Sequence, residues 1–440
     1  MRIQKLAAFL VMTVVTSTQV LGDAILNERA TQASSLIAAN PTVPAGLFDK
    51  AFTALVNDAQ LAVIGKQFFE QCGSVQHVQQ TQTISAFGGK FDMVMEKGQV
   101  VSMTITISDK VPHQIVGLFF GMPSPMLKTM DDAVAALKKL GSGVSFALWK
   151  LDDAGGKPIA TLNPDTPMAI GSAFKLYVLG TLMEEVKLKK RTPADVVSLR
   201  AEGRSLPSGS MQDWPVGAPV TLSTLANMMI SISDNTATDT LIATLGRERI
   251  EGMLSVMGMK DPQRTLPFLC TSEMFKLKGR QGGAMATAYA ALDVAGRRAM
   301  LASPAMTGAI DMGQMDSSAF TVPSHVDSVE WFASTNDLCR AMNWIRIAAD
   351  SQPAESLQVL EGALAINRGL DISRDAFPWV GFKGGSEPGV LNSTYLLKAK
   401  NGAWYALSAS WNDSEKVIDL QTFAAIVQRT IYVLGANAKE

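Results

Sequence analysis

The spacing of apolar residues along the chain changes near residue 125. Before that point, a periodic apolar segment from about 46 to 71 predicts a helix. The short segments of alternating polarity that follow it predict strands, at 76–84, 91–95, 100–107 and 115–120. The pattern therefore predicts a small α+β domain over residues 45–122, joined to the rest of the chain by a proline-containing linker at 123–130.

A second pattern begins at residue 131 and continues to residue 440. Two strand-like segments come first, a long helical stretch follows to about residue 365, and the last segments are strands and a final helix, at 379–383, 394–399, 403–410 and 417–434. Asn401-Gly402 is a strong hairpin signal between the last two strands. Strands at both ends with helices between them predict an antiparallel sheet flanked by helices, so the fold class of the whole chain is α+β.

The first 22 residues have the pattern of a secretory signal peptide. Arg2 and Lys5 precede an apolar run at 6–15, and the small residues near Gly22 fit a cleavage site. The run is shorter than the ~20 residues that a membrane span needs, although an uncleaved anchor is the alternative. We therefore expect a periplasmic or secreted protein that begins with an N-terminal segment at 23–44 and has no stable membrane span after cleavage.

Composition narrows the class of protein. The 440 residues are 47% hydrophobic and 18% charged, which excludes a disordered chain. The 39 basic and 40 acidic residues show no basic stretch, which argues against a nucleic-acid partner. Three histidines and three cysteines argue against a metal centre, and no cofactor is predicted. The widely spaced cysteines are interpreted as three buried thiols, with one disulfide and one free thiol as the alternative.

The first chemical motif is Ser172-Ala173-Phe174-Lys175. Serine and lysine three positions apart lie one turn apart on one face of a helix. The residues that follow are apolar nearly all round, as in a buried helix. A lysine in such surroundings either extends its amine to solvent or is desolvated, and a desolvated amine has a lowered pKa and can activate a hydroxyl nucleophile.

The second motif, Ser233-Asp234-Asn235, precedes a predicted helix. All three residue types cap helices, so one interpretation is a plain N-cap. The other is functional: the Ser233 hydroxyl passes a proton to a leaving group, and Asn235 orients Lys175 and the substrate.

The third motif, Lys383-Gly384-Gly385-Ser386, follows a predicted strand. One interpretation is a turn, because Pro388-Gly389 comes next. The other is a strand edge whose glycines let a substrate approach closely, with Lys383 holding a substrate carboxylate.

Together the three motifs resemble the serine β-lactamase and penicillin-binding protein superfamily, whose signatures S-x-x-K, S-D-N and K-T-G occur in this order. The surrounding residues are similar to a class A-like branch of secreted serine hydrolases. That branch resembles a two-domain β-lactamase-fold protein of clavulanic acid biosynthesis, which also has a small N-terminal domain of the NTF2-like type. The resemblance covers about 130 to 437 well and is only architectural over 45–122.

The resemblance implies acyl transfer. Ser172 would attack a carbonyl, Lys175 would take its proton, and Ser233 would return a proton to the leaving group. The backbone N–H groups of Ser172 and Ser386 would form the oxyanion hole, and Asn235, Lys383, Gly385 and Ser386 would bind substrate.

The sequence departs from the family pattern in two respects. Gly384 replaces the hydroxyl-bearing residue of K-T-G, which removes a contact to a substrate carboxylate unless Ser386 supplies it. No E-x-x-L-N run lies between Asn235 and Lys383, and Glu273 is in about the right stretch but in a different context to activate the deacylating water.

The expected function is that of an exported serine hydrolase acting on β-lactams or related amides and esters. The alternatives are a DD-peptidase or esterase of the same fold and a non-hydrolytic ligand-binding or biosynthetic accessory protein. The expected partner is a small-molecule substrate, and the sequence does not indicate an oligomeric state.

Overall fold

The computed structural model describes residues 24–206 and 208–437. The chain divides into two compact units, residues 1–128 and 129–440. The division falls within the linker predicted at 123–130. The predicted signal peptide at 1–22 lies outside the described residues and stays a prediction.

The first unit begins with three helices: α1 (24–34), α2 (Lys50–Leu55) and α3 (Asp58–Cys72). The single helix predicted at 46–71 is wrong, because the chain is interrupted at Asn57. The Asn57 side chain accepts a hydrogen bond from the Gln60 N–H, and the Gln60 side chain accepts one from the Asn57 N–H, so a capping box starts a new helix there. Helix α1 precedes the predicted domain start at residue 45 and contributes Leu26 to the unit's core.

An antiparallel sheet completes the first unit. Its strands are β1 (Val75–Ser85), β2 (Gly88–Met95), β3 (Gln99–Ile107) and β4 (Ile115–Phe120) in that spatial order, with β5 (Ser124–Pro125) paired to β3. Alternate residues of β3 are fully buried, as the alternating polarity predicts. The unit is α+β as predicted, and its assignment as NTF2-like stays a prediction.

The second unit contains the remaining elements. Its strands are β6 (Val144–Leu151), β7 (Lys157–Leu162), β8 (Met168–Ala169), β9 (Val196–Ser198), β10 (Pro219–Thr221), β11 (Phe332–Ala333), β12 (Trp379–Glu387), β13 (Val390–Lys398) and β14 (Trp404–Asn412). Its helices are α4 (Met130–Lys138), α5 (Lys175–Lys187), α6 (Leu222–Ser231), α7 (Asn235–Leu245), α8 (Arg247–Val256), α9 (Thr271–Gly279), α10 (Ala284–Ala290), α11 (Val294–Leu301), α12 (Thr335–Ala349), α13 (Ala354–Ile366) and α14 (Leu420–Asn437).

The main sheet of the second unit is antiparallel and joins the two ends of the unit. Its order is β12-β13-β14-β6-β7, so the late strands pair with the early ones. Helices α4 and α14 pack against each other, and α12 packs on β14 and β6. The prediction of an antiparallel sheet flanked by helices is confirmed. Strand β12 lies at an edge of this sheet, which leaves one side of its backbone open to other groups.

Helix α5 lies at the centre of the helical part of this unit. Eleven of its thirteen residues are buried, and it contacts α6, α7, α8, α12 and α13. The sequence predicts such a helix from its nearly continuous apolar surface. The burial of α5 carries Lys175, its first residue, into the interior with no exposed surface.

All three cysteines are free thiols. Cys72 and Cys339 are buried, and Cys270 is partly exposed. No helix within the described ranges is both long enough and apolar enough to cross a bilayer.

Candidate active site

Ser172 lies in a 3₁₀ turn, Gly171–Phe174, that leads directly into α5. The serine is partly exposed and lines a cleft of about 760 Å³. Lys175 follows one turn later at the start of α5 and is fully buried. The structure therefore places the two residues of the first motif as their spacing predicts, with the hydroxyl at the cleft and the amine beneath the surface.

The amine of Lys175 is bound by the second motif. Its Nζ donates hydrogen bonds to Ser233 O (2.6 Å), to Ser233 Oγ (3.0 Å) and to Asn235 Oδ1 (2.7 Å). The other end of the Asn235 amide donates to Leu206 O at 3.0 Å, which fixes the orientation of the acceptor oxygen. Lys175 does not extend its amine to solvent.

Burial lowers the pKa of Lys175 well below its usual value. Desolvation is the largest cause, and the positive charge of Lys383 acts in the same direction. The carboxylates of Asp239 and Asp234 raise the pKa, but by less than the two opposing effects together. The shift favours the neutral form of the amine, which is the form that accepts a proton.

The Ser-Asp-Asn segment acts both as a cap and as part of the site. Asp234 is the N-cap of α7, since its Oδ1 accepts from Ala237 N at 2.8 Å. Ser233 has a φ of +58°, in the left-handed region that a non-glycine residue rarely adopts. Such backbone costs about 1–3 kcal/mol and is concentrated at functional sites. The two interpretations of this motif are therefore compatible, because different residues serve them.

Lys383 on β12 also contacts the Ser233 hydroxyl. Its Nζ donates to Ser233 Oγ (3.0 Å) and to Gly384 O (2.6 Å). The residue is 3% exposed, and burial lowers its pKa to about 7. Two buried amines thus share the Ser233 oxygen, which suits Ser233 to pass protons across the cleft.

Close packing at Gly385 and Gly171 brings strand β12 against the turn that carries Ser172. A Cβ at Gly385 would lie 2.0 Å from Ile170 O and 2.7 Å from Ser172 N, and one at Gly171 would lie 3.2 Å from Ser386 N. The absence of side chains here permits the backbone approach. The backbone nitrogens of Ser172 and Ser386, the two predicted oxyanion donors, are therefore on neighbouring segments.

The turn interpretation of the third motif is wrong. Residues 383–387 continue β12 in regular register with β13, and the hairpin turn lies at Pro388-Gly389, where Gly389 has a φ of +78°. The glycines at 384 and 385 therefore belong to an edge strand that lines the cleft, as the functional interpretation requires.

Glu273, the candidate for the deacylation base, has other partners. Its Oε2 accepts from Cys270 N (2.7 Å) at the start of α9, and its Oε1 pairs with Arg247 Nη2 (2.5 Å). It is buried and is not among the residues that line the cleft. The geometry gives Glu273 a structural role and does not support it as the base.

Sequence reasoning missed two groups of residues around the cleft. Buried Asp239 accepts from Thr271 N (2.7 Å) and Ser272 N (2.8 Å), which ties α9 to α7 beneath the site. Asp239 lies four residues after Asn235 and so on the same face of α7, which could have indicated it.

The second missed group is at the end of β12. Glu387 lines the cleft, and both of its oxygens accept from buried Lys278, at 3.1 and 3.0 Å. Lys278 also pairs with Glu330. These residues are more than 50 positions apart, so no local pattern could have joined them.

Comparison with known proteins assigns this unit. Residues 129–312 match the model of the beta-lactamase enzyme family. That part of the second unit is β-lactamase-like. The match contains the first two motifs, and the resemblance to the β-lactamase and penicillin-binding protein superfamily is confirmed. No curated protein matches the chain.

Several solved structures are similar to the β-lactamase-like unit. A β-lactamase from Sphaerobacter thermophilus DSM 20745 is 19% identical, with 70% of this chain and 96% of that chain covered and a TM-score of 0.49. PBP-A is 15% identical, with 71% and 96% covered and a TM-score of 0.47. A β-lactamase from Chitinophaga pinensis DSM 2588 is 16% identical, with 70% and 97% covered and a TM-score of 0.48. Because each TM-score is below 0.5, the assignment depends on the family model.

Proposed function

We propose that the protein is an exported serine hydrolase of the class A β-lactamase-like type, which cleaves amide or ester bonds through an acyl-enzyme on Ser172. One observation carries the proposal: the buried amine of Lys175, one helical turn from the Ser172 hydroxyl, is bound to Ser233 Oγ and Asn235 Oδ1. Desolvation of a lysine amine costs free energy of folding, and a buried amine with a strongly lowered pKa beside a cleft is typical of a functional site.

The acylation step follows from these contacts. Ser172 Oγ forms a bond to the carbonyl carbon, and its proton moves to the neutral Lys175 Nζ. The resulting oxyanion accepts hydrogen bonds from the backbone N–H groups of Ser172 and Ser386, donors that are typically worth ~3–4 kcal/mol in the transition state. The C–N or C–O bond then breaks. The leaving atom takes the proton of the Ser233 hydroxyl, which is restored from Lys175 at 3.0 Å.

The second step, in which water releases the acyl group, needs a base that activates the water. Glu387 is the only carboxylate among the described residues that line the cleft, and it is held by Lys278. A slow second step favours a DD-peptidase or esterase as the second candidate. A variant of PBP-A is described as an acyl-enzyme complex with penicillin G, and we propose that Ser172 forms the same kind of adduct.

Covalent labelling tests the proposal directly. A labelled penicillin or a fluorophosphonate should add one adduct to Ser172, detected by intact mass and peptide mapping. Ser172→Ala and Lys175→Ala should abolish the adduct while the proteins stay folded by circular dichroism. The matched control is Ser255→Ala, at an exposed position on α8 outside the cleft. Labelling that persists in Ser172→Ala would refute the proposal.

Substrate comparison separates the candidates within it. Rates on nitrocefin, a short-chain p-nitrophenyl ester and a D-Ala-D-Ala peptide distinguish a β-lactamase, an esterase and a DD-peptidase. No acylation by any probe, together with binding of a small ligand, would favour the accessory protein. Export predicts a mature chain that begins at Asp23, which the mass of the protein purified from the periplasm or medium checks.

A further inference from the structure

The wall of the cleft beside the third motif is apolar where the family pattern has a hydroxyl. A Cβ at Gly384 would lie 2.8 Å from Phe382 Cζ and 3.2 Å from Asn392 O. The Phe382 ring in turn packs on Tyr395, with the ring centroids 4.8 Å apart. The ring therefore covers the place that a side chain at 384 would need. Both Phe382 and Gly384 line the cleft, so a substrate meets aromatic carbon here.

The charged groups of the cleft do not form an anion site. Lys383 and Glu387 are the only charged residues among the described residues that line it. Two donors of the Lys383 amine are engaged by Ser233 Oγ and Gly384 O, and burial brings its pKa to about 7, so above neutral pH its positive charge is largely lost. Lys383 therefore offers a substrate carboxylate a reduced charge and few free donors, and the carboxylate-binding role expected from the sequence stays a prediction.

Glu387 adds negative charge instead. Lys278 is its counter-ion, but Lys278 also pairs with Glu330, whose side chain has no exposed surface. One ammonium thus faces two carboxylates, and Glu330 Oε2 has no hydrogen-bond partner within the described part of the chain. Next to Glu387, the exposed Ser386 hydroxyl is a neutral group, which does not offset the desolvation of a bound carboxylate.

The rest of the cleft is suited to apolar groups. Aromatic pairs line it: Phe174 stacks on Trp331 with the centroids 3.8 Å apart, and Phe275 meets Phe320 at 5.2 Å. A volume of about 760 Å³ lies within the range of sites that enclose a drug-sized ligand, roughly 300–1,000 Å³. Burial of each methylene there should improve binding about fourfold.

We propose that the cleft selects uncharged esters or amides with a bulky apolar acyl group and discriminates against substrates that carry a carboxylate, so that penicillins acylate Ser172 more slowly than uncharged esters do. This inference rests on the proposed acyl transfer at Ser172 and names its substrate class. The reaction is the same: the Ser172 Oγ–carbonyl bond forms, the ester C–O bond breaks, and the leaving alcohol takes a proton through Ser233.

A matched pair of esters tests the inference. Mono-p-nitrophenyl glutarate carries a carboxylate, and its methyl ester lacks that charge and adds one methyl group, whose burial accounts for a preference of about fourfold and no more. At about pH 8 the wild-type enzyme should have a kcat/KM at least about tenfold higher for the methyl ester, because like charges across a binding site are costly. Glu387→Gln should narrow this ratio several-fold. Glu355→Gln, at an exposed position on α13 outside the cleft, is the control and should leave the ratio unchanged.

The outcomes separate this inference from the proposed function. Equal kcat/KM values for the two esters, or a preference for the anionic one, would overturn the inference even if fluorophosphonate labels Ser172. A ratio that Glu387→Gln does not change would remove the role of Glu387. Failure of every ester and of fluorophosphonate to acylate Ser172 would overturn both proposals together.

Discussion

Replacing Lys383 with methionine should shift the pH dependence of Ser172 acylation to higher pH. Acylation requires a neutral Lys175, so its rate falls at low pH as Lys175 becomes protonated. The positive charge of Lys383 is the second-largest cause that lowers the pKa of Lys175. Methionine has a similar length and no charge, so the variant removes this repulsion with little change in packing.

The structure sets the size of the shift. Both amine nitrogens lie 3.0 Å from Ser233 Oγ, so they are at most about 6 Å apart. At an effective dielectric constant of about 20, two unit charges at that separation interact by about 3 kcal/mol, which corresponds to roughly 2 pKa units. The repulsion is complete where Lys383 is protonated, below its pKa of about 7, and is smaller above that pH. The acidic limb of the pH profile of Ser172 acylation should therefore move to higher pH by as much as about 2 pH units.

The assay is the second-order rate of fluorophosphonate labelling between about pH 5 and pH 10, followed by intact mass. This probe needs no protonated leaving group, so its pH profile follows the proton acceptor. Loss of the hydrogen bond to Ser233 should also lower the maximal rate, but only the position of the limb is diagnostic. Lys400→Met, at an exposed position after β13, is the control. An unmoved limb, or one that moves to lower pH, would refute the argument that the two amines are coupled.

Three further predictions follow from the same contacts. Gly385→Ala should abolish acylation, because the new Cβ would lie 2.0 Å from Ile170 O. The control is Gly252→Ala in α8, which has open space around it and should be neutral or slightly stabilising. Labelling and thermal melts of both variants check this. Glu273→Gln should lower the free energy of unfolding by about 1–3 kcal/mol and leave the ratio of the deacylation rate to the acylation rate unchanged. A selective loss of deacylation in single-turnover measurements would restore Glu273 as the base. Lys383→Met should raise the Tm, and the gain should widen as the pH falls from about 10 to about 6. Lys383 has a pKa of about 7 in the folded protein and a higher one in the unfolded chain, so the stability of the wild-type protein rises with pH between these two values. A gain in Tm that is constant with pH would contradict this.

Local signals were sufficient for most of the fold. The predicted strand at 115–120 matches β4, and the Asn401-Gly402 hairpin joins β13 to β14 as expected. Strand alternation and turn chemistry depend only on neighbouring residues, so they can be read without the tertiary structure. The same reasoning failed at Asn57, where a capping box outweighed a continuous apolar period and divided the predicted helix in two.

The sequence predicted the residues of the candidate site but not the long-range contacts between them. Short motifs located Ser172, Ser233 and Lys383, and the structure links the latter two directly through Lys383 Nζ and Ser233 Oγ. The contact of Lys278 with Glu387, 109 positions away, has no local signature. Neither does the position of the Phe382 ring over Gly384. Long-range contacts of this kind decide which substrates a cleft accepts, so substrate class is the property that the sequence leaves open.

The contacts of Glu273 and Glu387 argue that release of the acyl group limits turnover. A general base must have an oxygen free to accept a proton from water. Glu273 is held by Arg247 and by the start of α9, and Glu387 is held at both oxygens by Lys278. Lys175 is the base of the proposed acylation step, and it must lose its proton to the leaving group before it can accept another. The proton taken up in acylation therefore has to leave by way of Ser233, whereas the proton that Lys175 takes from water passes to Ser172 Oγ as the acyl C–O bond breaks. Ser233→Ala leaves Lys175 protonated in the acyl-enzyme and should slow deacylation as well as acylation in single-turnover measurements. A variant that acylates slowly but deacylates at the wild-type rate would show that another group activates the water.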